Sequence, residues 1–165
     1  APFIPPSNAT VFLNHLRQVL RTFSGIEHRL EFVREVNGVS YYNDSKATNV
    51  DAVRYAIQSF EEPIILLLGG YDKEGDFAQL IPYIRQHVKK TIVLGKARHK
   101  IQRALGKATD LYLCEDLPEA IEYAAGIAAQ GDIVLLSPAC ASFDQYRNYE
   151  ERGNHLKRLV EELSS

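Results

Sequence analysis

A cluster of polar residues lies between a strand-like run and a helical run in the first third of the chain. Residues 42–50 read YNDSKATNV, and the helical pattern begins at about Thr48 or Asn49. Free amides at a helix start attract anions, and Lys46 adds a full positive charge beside them. This segment could therefore bind a carboxylate or a phosphate, although a capped loop with a solvated lysine is equally compatible with it.

Two further segments offer the same kind of chemistry. Lys73 lies in the glycine-containing segment 69–76, which follows the continuous apolar run 63–68. Ser142 lies in the segment 137–149, after the last apolar run of the chain. Two lysines, several hydroxyl groups and loop amides could together bind a small carboxylate or phosphate ligand through charge-assisted hydrogen bonds. Each segment taken alone is also typical of a flexible, solvated loop.

Several other kinds of chemistry lack their motifs in this chain. There is no G-x-x-x-x-G-K-[ST] phosphate loop, no G-x-G-x-x-G dinucleotide fingerprint and no G-x-S-x-G nucleophile elbow. The five histidines form no ligand-like cluster with cysteine or carboxylate, so we expect no metal site made by this chain alone. The net charge of -2 favours neither nucleic acid nor a membrane surface as a partner. No apolar run approaches the ~18 residues of a membrane span, so a cytoplasmic protein is expected.

The elements around these segments alternate between helix and strand. Helical spacing predicts helices over residues 49–60, 77–89, 97–105 and 117–129, and a final helix that reaches about residue 163. Apolar runs predict strands over residues 30–36, 39–43, 63–68, 91–94, 110–114 and 132–136. This order predicts an α/β fold of three layers, with a mostly parallel sheet of about six strands and helices on both faces. Because the carboxyl ends of parallel strands meet at one edge, the three polar segments should gather there.

An Asn37-Gly38 pair separates the first two predicted strands. Such a pair between strand-like runs predicts a hairpin with a two-residue type I′ turn. The hairpin would form an antiparallel edge of the sheet. If its strands pair in register about the turn, Arg29 lies near the same edge as Asp44, although a surface charge is the simpler interpretation of that arginine.

The chain divides at about residue 24. Residues 1–24 are expected to form a lead-in segment, with a helix over residues 9–23, and residues 25–165 are expected to form one domain. The charged residues of the final helix are expected to form a solvated face. They are Glu150, Glu151, Arg152, Lys157, Arg158, Glu161 and Glu162.

Three strings of this sequence resemble the Mur ligase family, and in particular the carboxyl-terminal domain of its D-glutamate-adding members. They are NDSKATN at residues 43–49, LGGYDK at residues 68–73 and LSPACASFDQ at residues 136–145. GIEHR at residues 25–29 and NYEERG at residues 148–153 also match the family. The resemblance covers about residues 24–163, and three strings in the right order and spacing are far more specific than any one of them.

The resemblance implies a part in an ATP-dependent ligase. In that family the first of three domains holds a UDP-sugar, the central domain carries a phosphate loop and magnesium ligands, and the third, Rossmann-like domain brings the amino acid. ATP phosphorylates the carboxylate of UDP-N-acetylmuramoyl-L-alanine, and the amine of D-glutamate attacks the acyl phosphate to form an amide. This chain would be the third domain with its lead-in helix. ATP and Mg²⁺ would be bound mainly by the central domain, and the isolated chain would be inactive.

Carried over residue by residue, the resemblance implies two groups of site residues. One group would surround D-glutamate and consists of Thr48, Lys73, Ser142, Phe143 and Tyr149. The other would face the nucleotide across a domain cleft and consists of Arg29, Asp44 and Lys46, with Lys46 in a catalytic role. Tyr149 departs from the phenylalanine expected in some relatives, which matters little if this position contributes packing or a backbone amide.

The expected partners are D-glutamate, ATP, UDP-N-acetylmuramoyl-L-alanine and the protein's own N-terminal and central domains, in a monomer. Two alternatives stay open. The chain could belong to another Mur or folylpolyglutamate-type ligase, or it could be a non-catalytic module that binds a small carboxylate. The SPACAS string favours D-glutamate, because other members of the family are expected to carry an arginine-bearing motif for their amino acid.

Overall fold

A computed structural model describes residues 26–165 and, before them, Val11, Phe12, His15, Gln18 and Val19. The predicted lead-in helix therefore falls largely outside the described residues. Six strands are present in the described part: β1 Glu31–Val36, β2 Val39–Asn43, β3 Ile64–Gly69, β4 Val88–Leu94, β5 Leu111–Leu113 and β6 Ile133–Leu136. They form one sheet in the order β1-β2-β6-β3-β4-β5, which confirms the predicted mostly parallel sheet.

The predicted hairpin is confirmed at the edge of this sheet. β1 and β2 are antiparallel, and Val36 pairs with Val39 across the turn. Asn37 has a φ of 53° and Gly38 a φ of 77°, so both central residues of the turn are left-handed, as a type I′ turn requires. Glu31 pairs with Asn43, so the residues before β1 lie beside those that follow β2.

The last strand in the sequence lies in the middle of the sheet. β6 pairs in parallel with β2 on one side and with β3 on the other. Leu136 at the end of β6 is opposite Asn43 of β2 and opposite Leu67 of β3. Three strands thus end side by side, so the polar segments that follow them leave the sheet at one edge, as predicted.

Helices cover both faces of the sheet because the strands bury side chains on both. The helices are α1 Val50–Gln58, α2 Ile81–His87, α3 Arg98–Leu105, α4 Leu117–Ile127 and α5 Tyr149–Glu161. In β3, Ile64, Leu66 and Leu68 pack into one hydrophobic cluster, which includes residues of α1, α2 and α3. Ile65 and Leu67 point the other way, into a second cluster with residues of α4 and α5. The three-layer prediction is confirmed. No helix in the described part of the chain is both long and apolar enough to cross a bilayer.

The helix predicted over residues 77–89 is shorter and begins differently. Phe77–Leu80 forms a 3₁₀ turn, and the α-helix starts only at Ile81. Pro82 explains the break, because it has no amide hydrogen to donate to the carbonyl of Ala78 in a continuous α-helix. The helix ends at His87, and β4 extends from Val88 rather than from Thr91, since Val88 already pairs with Ile64 of β3.

The prediction of a solvated charged face on the final helix is wrong for Arg152. That residue is only 2% exposed and belongs, with Gly153, Leu156 and Val160, to the buried side of α5. Lys157 is also partly covered, because its ammonium bonds to the carboxylates of Glu27 and Glu31 at 3.0 and 3.2 Å. The other charged residues of the helix lie at least partly open to solvent.

Candidate functional site

Three loops follow the adjacent strands β2, β3 and β6 and are tied together by backbone hydrogen bonds. We call them loop 1 (residues 43–49), loop 2 (residues 69–76) and loop 3 (residues 137–148). Ala139 of loop 3 donates its amide to the carbonyl of Ala47 in loop 1 at 2.9 Å. Tyr71 of loop 2 and Ala141 of loop 3 exchange two backbone hydrogen bonds, at 2.8 and 3.0 Å. The edge of the sheet is therefore one connected surface rather than three independent loops.

The first pocket at this edge brings together all three residues of the predicted nucleotide group. We call this cavity of about 380 Å³ the Asp44 pocket. Its lining consists of Arg29, Leu30, Asp44, Lys46, Ala47, Ala52, Tyr55 and Ala56. Two cations thus lie beside an apolar wall from loop 1 and α1. This combination suits a ligand with both a flat apolar part and negative charge, as a nucleotide has.

Asp44 is the anchored carboxylate of this pocket. It is 4% exposed, and its two oxygens accept hydrogen bonds from the Leu30 amide at 3.1 Å and from the Ser137 hydroxyl at 2.7 Å. Burial raises the pKa of Asp44 from 3.8 to about 6, while these two hydrogen bonds and the charge of Arg29 act in the opposite direction. The carboxylate therefore holds loop 3 and the residues before β1 close to loop 1.

Arg29 is held in place by an unusual turn. His28 and Leu30, on either side of it, have φ angles of 63° and 44°, which side chains with a Cβ rarely adopt. The buried His28 ring accepts a hydrogen bond at Nδ1 from the Asn43 amide at 2.9 Å. The carbonyl of His28 also accepts the amide of Lys46 at 3.0 Å. Backbone strain of this kind persists only where the surroundings enforce it, and here it aims Arg29 at the Asp44 pocket.

The second pocket lies between loops 1 and 2, and we call it the Lys73 pocket. This cavity of about 410 Å³ is lined by Thr48, Asn49, Val50, Asp51, Lys73, Gly75, Asp76, Gln79 and Ala139. It therefore brings together Thr48 and Lys73, two residues of the predicted D-glutamate group. With a lysine, a hydroxyl and two carboxylates, the lining carries both signs of charge, which suits an amino acid ligand.

Among the described residues, the Lys73 ammonium pairs with no carboxylate, because of the way loop 2 is fixed. The carboxylate of neighbouring Asp72 accepts hydrogen bonds from the Gly75 amide at 2.8 Å and from Lys100 of α3 at 2.5 Å. Asp72 therefore pairs with Lys100 rather than with Lys73. Lys73 instead lies over the ring of Phe143 in loop 3, 5.7 Å from its centroid. A third member of the predicted D-glutamate group thus adjoins the ammonium.

The remaining two residues of that group, Ser142 and Tyr149, are not part of the lining of the Lys73 pocket. Ser142 is 2% exposed, and its hydroxyl has no hydrogen-bond partner among the described residues. The Tyr149 ring packs instead against His28 and lies 5.9 Å from the Lys46 ammonium. Tyr149 is also the first residue of α5, where backbone amides lack partners within the helix. Its side chain therefore belongs to the side of the Asp44 pocket.

Arg152 is the residue that the sequence analysis missed. Its guanidinium donates to the Ser45 hydroxyl and carbonyl, both at 2.9 Å, and to the Cys140 carbonyl at 3.0 Å. A signal was present in the sequence, because Arg152, Leu156 and Val160 recur at intervals of four and so share one face of a helix. An arginine in line with two buried apolar residues indicates a buried charge.

These features define the class of protein: a three-layer α/β domain with two cation-bearing pockets at the carboxyl edge of its sheet. The described residues contain no group of three or more histidine, cysteine, aspartate or glutamate side chains that could hold a metal ion. The chemistry that the edge supports is binding of small anionic ligands in two neighbouring places. It follows the rule that open α/β sheets bind ligands where their parallel strands end.

Comparison with known proteins identifies the family. Residues 28–140 match the family described as "Mur ligase, glutamate ligase domain". The chain is 50% identical over 150 residues to the UDP-N-acetylmuramoylalanine--D-glutamate ligase of Caldicellulosiruptor saccharolyticus, covering 90% of this chain and 33% of that protein. It is also 50% identical over 149 residues to the ligase of the same name from Salinibacter ruber, covering 90% of this chain and 32% of the relative. The chain belongs to the Mur ligase family, as its glutamate ligase domain, and spans about a third of the length of these relatives.

Solved structures support the fold assignment. The chain is similar to a murein peptide ligase from Psychrobacter arcticus, with a TM-score of 0.60 at 13% identity, covering 90% of this chain and 33% of that one. It is also similar to a MurF ligase from Thermotoga maritima in complex with ADP, with a TM-score of 0.54 at 17% identity, covering 85% and 33% of the two chains. At such identities the likeness concerns the fold alone.

Proposed function

We propose that this chain is the carboxyl-terminal domain of an ATP-dependent ligase that adds D-glutamate to UDP-N-acetylmuramoyl-L-alanine in peptidoglycan synthesis. The observation that carries the proposal is the Lys73 pocket. There Thr48 and an ammonium without an ion-pair partner in the described part of the chain line a cavity of a size suited to an amino acid. The choice of D-glutamate among amino acids is supported by the names of the relatives that are 50% identical over most of this chain.

In the proposed reaction, this domain holds D-glutamate while its amine attacks an acyl phosphate. Lys73 and Thr48 would bind one carboxylate from the Lys73 pocket. Ser142 and the Phe143 ring would close the site from loop 3. Tyr149 would contribute the free amide at the start of α5 rather than its ring, because the ring lies beside Lys46. A substrate with two carboxylates suits this set, since both can accept charge-assisted or amide hydrogen bonds.

The Asp44 pocket would face the nucleotide. Arg29 and Lys46 would bind its phosphates, and Lys46 would be catalytic by stabilising the negative charge that develops during phosphoryl transfer. Asp44 would hold the segment that carries Arg29, and loop 3, against loop 1 through its bonds to Leu30 and Ser137. A Mg²⁺ ion bound with ATP would supply further charge neutralisation, but the described residues offer no cluster of carboxylates to hold it. The metal would therefore depend on other parts of the complete protein.

The test is amide formation by the complete protein that the gene encodes. We expect turnover with ATP, UDP-N-acetylmuramoyl-L-alanine and D-glutamate, and little with L-glutamate, L-lysine or a folate substrate. Preference for another substrate would reassign the chain within the family. Binding of D-glutamate without turnover would instead favour the non-catalytic carboxylate-binding module.

A second measurement places the ligand on this chain. In nuclear magnetic resonance spectra of the complete protein labelled with ¹⁵N, adding D-glutamate should shift the amide signals of loops 1, 2 and 3. The Lys73→Ala variant should show no such shifts. Lys107→Ala provides the control, since Lys107 is an exposed lysine that lines neither pocket. Shifts that persist in Lys73→Ala would move the amino acid site elsewhere.

A further inference from the structure

The Arg152 guanidinium is a buried positive charge beneath the binding edge. The carboxylate of Asp144 in loop 3 favours its charged form electrostatically, but the two side chains share no hydrogen bond among the described residues. Arg152 is 2% exposed, and all of its hydrogen-bond partners among the described residues are neutral. Burial lowers the pKa of Arg152 to about 10, which still leaves it protonated at neutral pH. A buried charge is costly unless it is closely paired, and Arg152 makes no ion pair within hydrogen-bond distance among the described residues. A stable core alone would therefore favour an apolar side chain at this position.

The contacts of Arg152 reach all three loops. Two of its nitrogens bond to Ser45 in loop 1, and one of these also bonds to Cys140 in loop 3. The third nitrogen, Nη1, is buried without a hydrogen-bond partner among the described residues. It lies 3.1 Å from the point that a Cβ on Gly70 of loop 2 would occupy. The guanidinium therefore lies at the centre of the edge, and one of its nitrogens makes no hydrogen bond within the described part of the chain.

The bonded residues are close in sequence to the proposed ligand contacts. Thr48 follows Ser45 by three residues, and Ser142 follows Cys140 by two. The Ser45 hydroxyl also donates to the carbonyl of Tyr149 at 2.7 Å, so the start of α5 belongs to the same network. Moving the guanidinium would shift the backbone from which these hydroxyls and amides project.

We propose that Arg152 is a positioning residue for the D-glutamate site. It fixes loops 1 and 3 so that Thr48 and Ser142 face one ligand, and its buried charge favours a ligand with two carboxylates over one with a single carboxylate. This inference rests on the proposed function. It predicts a specific defect in D-glutamate use, whereas a purely structural role predicts loss of stability with all substrates affected alike.

The test is steady-state kinetics of Arg152→Lys and Arg152→Met in the complete protein. Arg152→Met should raise the KM for D-glutamate by roughly a hundredfold, since charge-assisted hydrogen bonds and their geometry are lost. Arg152→Lys keeps the charge without the planar fork and should recover part of this loss, to roughly tenfold above wild type. The KM values for ATP and UDP-N-acetylmuramoyl-L-alanine should change much less. Arg158→Met, an exposed arginine on the same helix, is the matched control and should behave as wild type.

The outcomes separate this inference from the proposed function. If the wild-type protein does not use D-glutamate, the proposed function fails. If it does, an unchanged D-glutamate KM in Arg152→Met, or equal changes for all three substrates, would overturn the positioning role.

A measurement on the wild-type protein covers the case in which the variants do not fold. In protein labelled with ¹⁵N-arginine, the Nε–H signal of Arg152 should shift when D-glutamate is added and should not shift with D-alanine, which has a single carboxylate. An Arg152 signal that does not shift when D-glutamate is added would contradict the inference.

Discussion

At the scale of single residues, the site depends on which charges have partners inside the domain and which do not. Asp72 is neutralised by Lys100, and Lys89 pairs with Asp132 at 2.7 Å. Lys73 lies next to the first of these pairs and takes part in neither. A charge that the fold leaves unpaired at the rim of a pocket is available to a ligand at little structural cost.

Lys73→Ala in the complete protein should raise the KM for D-glutamate by roughly tenfold to a hundredfold. A charge-assisted bond to a carboxylate contributes roughly 1.5–3 kcal/mol, and each 1.4 kcal/mol corresponds to about a factor of ten. Lys73→Arg should restore only part of the affinity, because a planar fork does not replace a compact ammonium in this pocket. Steady-state kinetics that vary each substrate in turn provide the measurement. Equal effects on all substrates would point to misfolding or altered domain closure.

Asp44→Asn should change how the stability of the domain depends on pH. The folded pKa of Asp44 is raised from 3.8 to about 6. The native state therefore retains this proton where the unfolded state has lost it, and the stabilisation present below about pH 4 is lost as the pH rises through 6. Asparagine cannot ionise, so the unfolding free energy of the variant relative to wild type should rise by about 2 kcal/mol between pH 4 and pH 7.

Urea unfolding of the two proteins at several pH values provides the measurement. The groups that titrate in both proteins cancel in the difference. A difference between variant and wild type that is independent of pH would show that Asp44 does not titrate in this range.

At the scale of elements, the sequence correctly predicted the features that depend only on residues close together in the chain. The Asn37-Gly38 turn and the cap of α1 depend on residues close in sequence, and the Asn49 side chain does accept the Ala52 amide at 2.9 Å. Lys46 and Lys73 were correctly placed at the edge, because each follows a strand and the carboxyl ends of parallel strands meet at one edge whatever their order in the sheet. Arg152 was misplaced, because its burial depends on contacts with Ser45, more than a hundred residues away.

The turn around Arg29 could not have been predicted for the same reason. Its left-handed residues are not glycines, so no residue type marks the bend in the sequence. The shape is enforced from α5, where Gly153 leaves room for the His28 ring. A Cβ on that glycine would lie within 2.2 Å of Nδ1 of His28.

Gly153→Ala should therefore destabilise the domain, although alanine is the better helix former. Displacing His28 would disturb its bond with Asn43, and overpacking of this kind costs about 1–3 kcal/mol. Gly126→Ala in α4 is the matched control. A Cβ there has no neighbour within 4 Å, so the change should stabilise the domain by about 0.5–1 kcal/mol. Denaturant unfolding measures both. Similar effects from the two substitutions would contradict the close contact between α5 and the turn.

At the scale of the whole molecule, one sheet separates two hydrophobic clusters. Alternate residues of β3 belong to opposite clusters, so neither can lose its packing without disturbing the strand they share. The order of helices and strands predicted these layers, since it restricts the possible topologies to a few. The order of strands within the sheet was not predicted, because pairing of β6 with both β2 and β3 joins segments far apart in the chain.

Residues 26–165 should unfold in a single cooperative transition. The shared central strands couple both clusters, and single domains of this size are usually two-state. Circular dichroism in the far and near ultraviolet, compared with tyrosine fluorescence, should give coincident thermal curves. Transitions that differ between these probes would indicate that the layer of α4 and α5 melts separately. Hydrogen exchange should find the slowest amides in β3 and β6, which are buried on both faces.

The central position of β6 also determines when the site can form during protein synthesis. The ribosome delivers β1 and β2 early and β3 to β5 later, but these two groups of strands do not pair with each other; only β6 joins them. Arg152, which connects loops 1 and 3, emerges later still. A nascent chain arrested before residue 133 therefore holds an exposed hairpin edge and an exposed edge of β3, both available for wrong pairing. Apart from loop 3 and α5, all elements of the binding edge are synthesised before β6, which is the strand that brings these elements together.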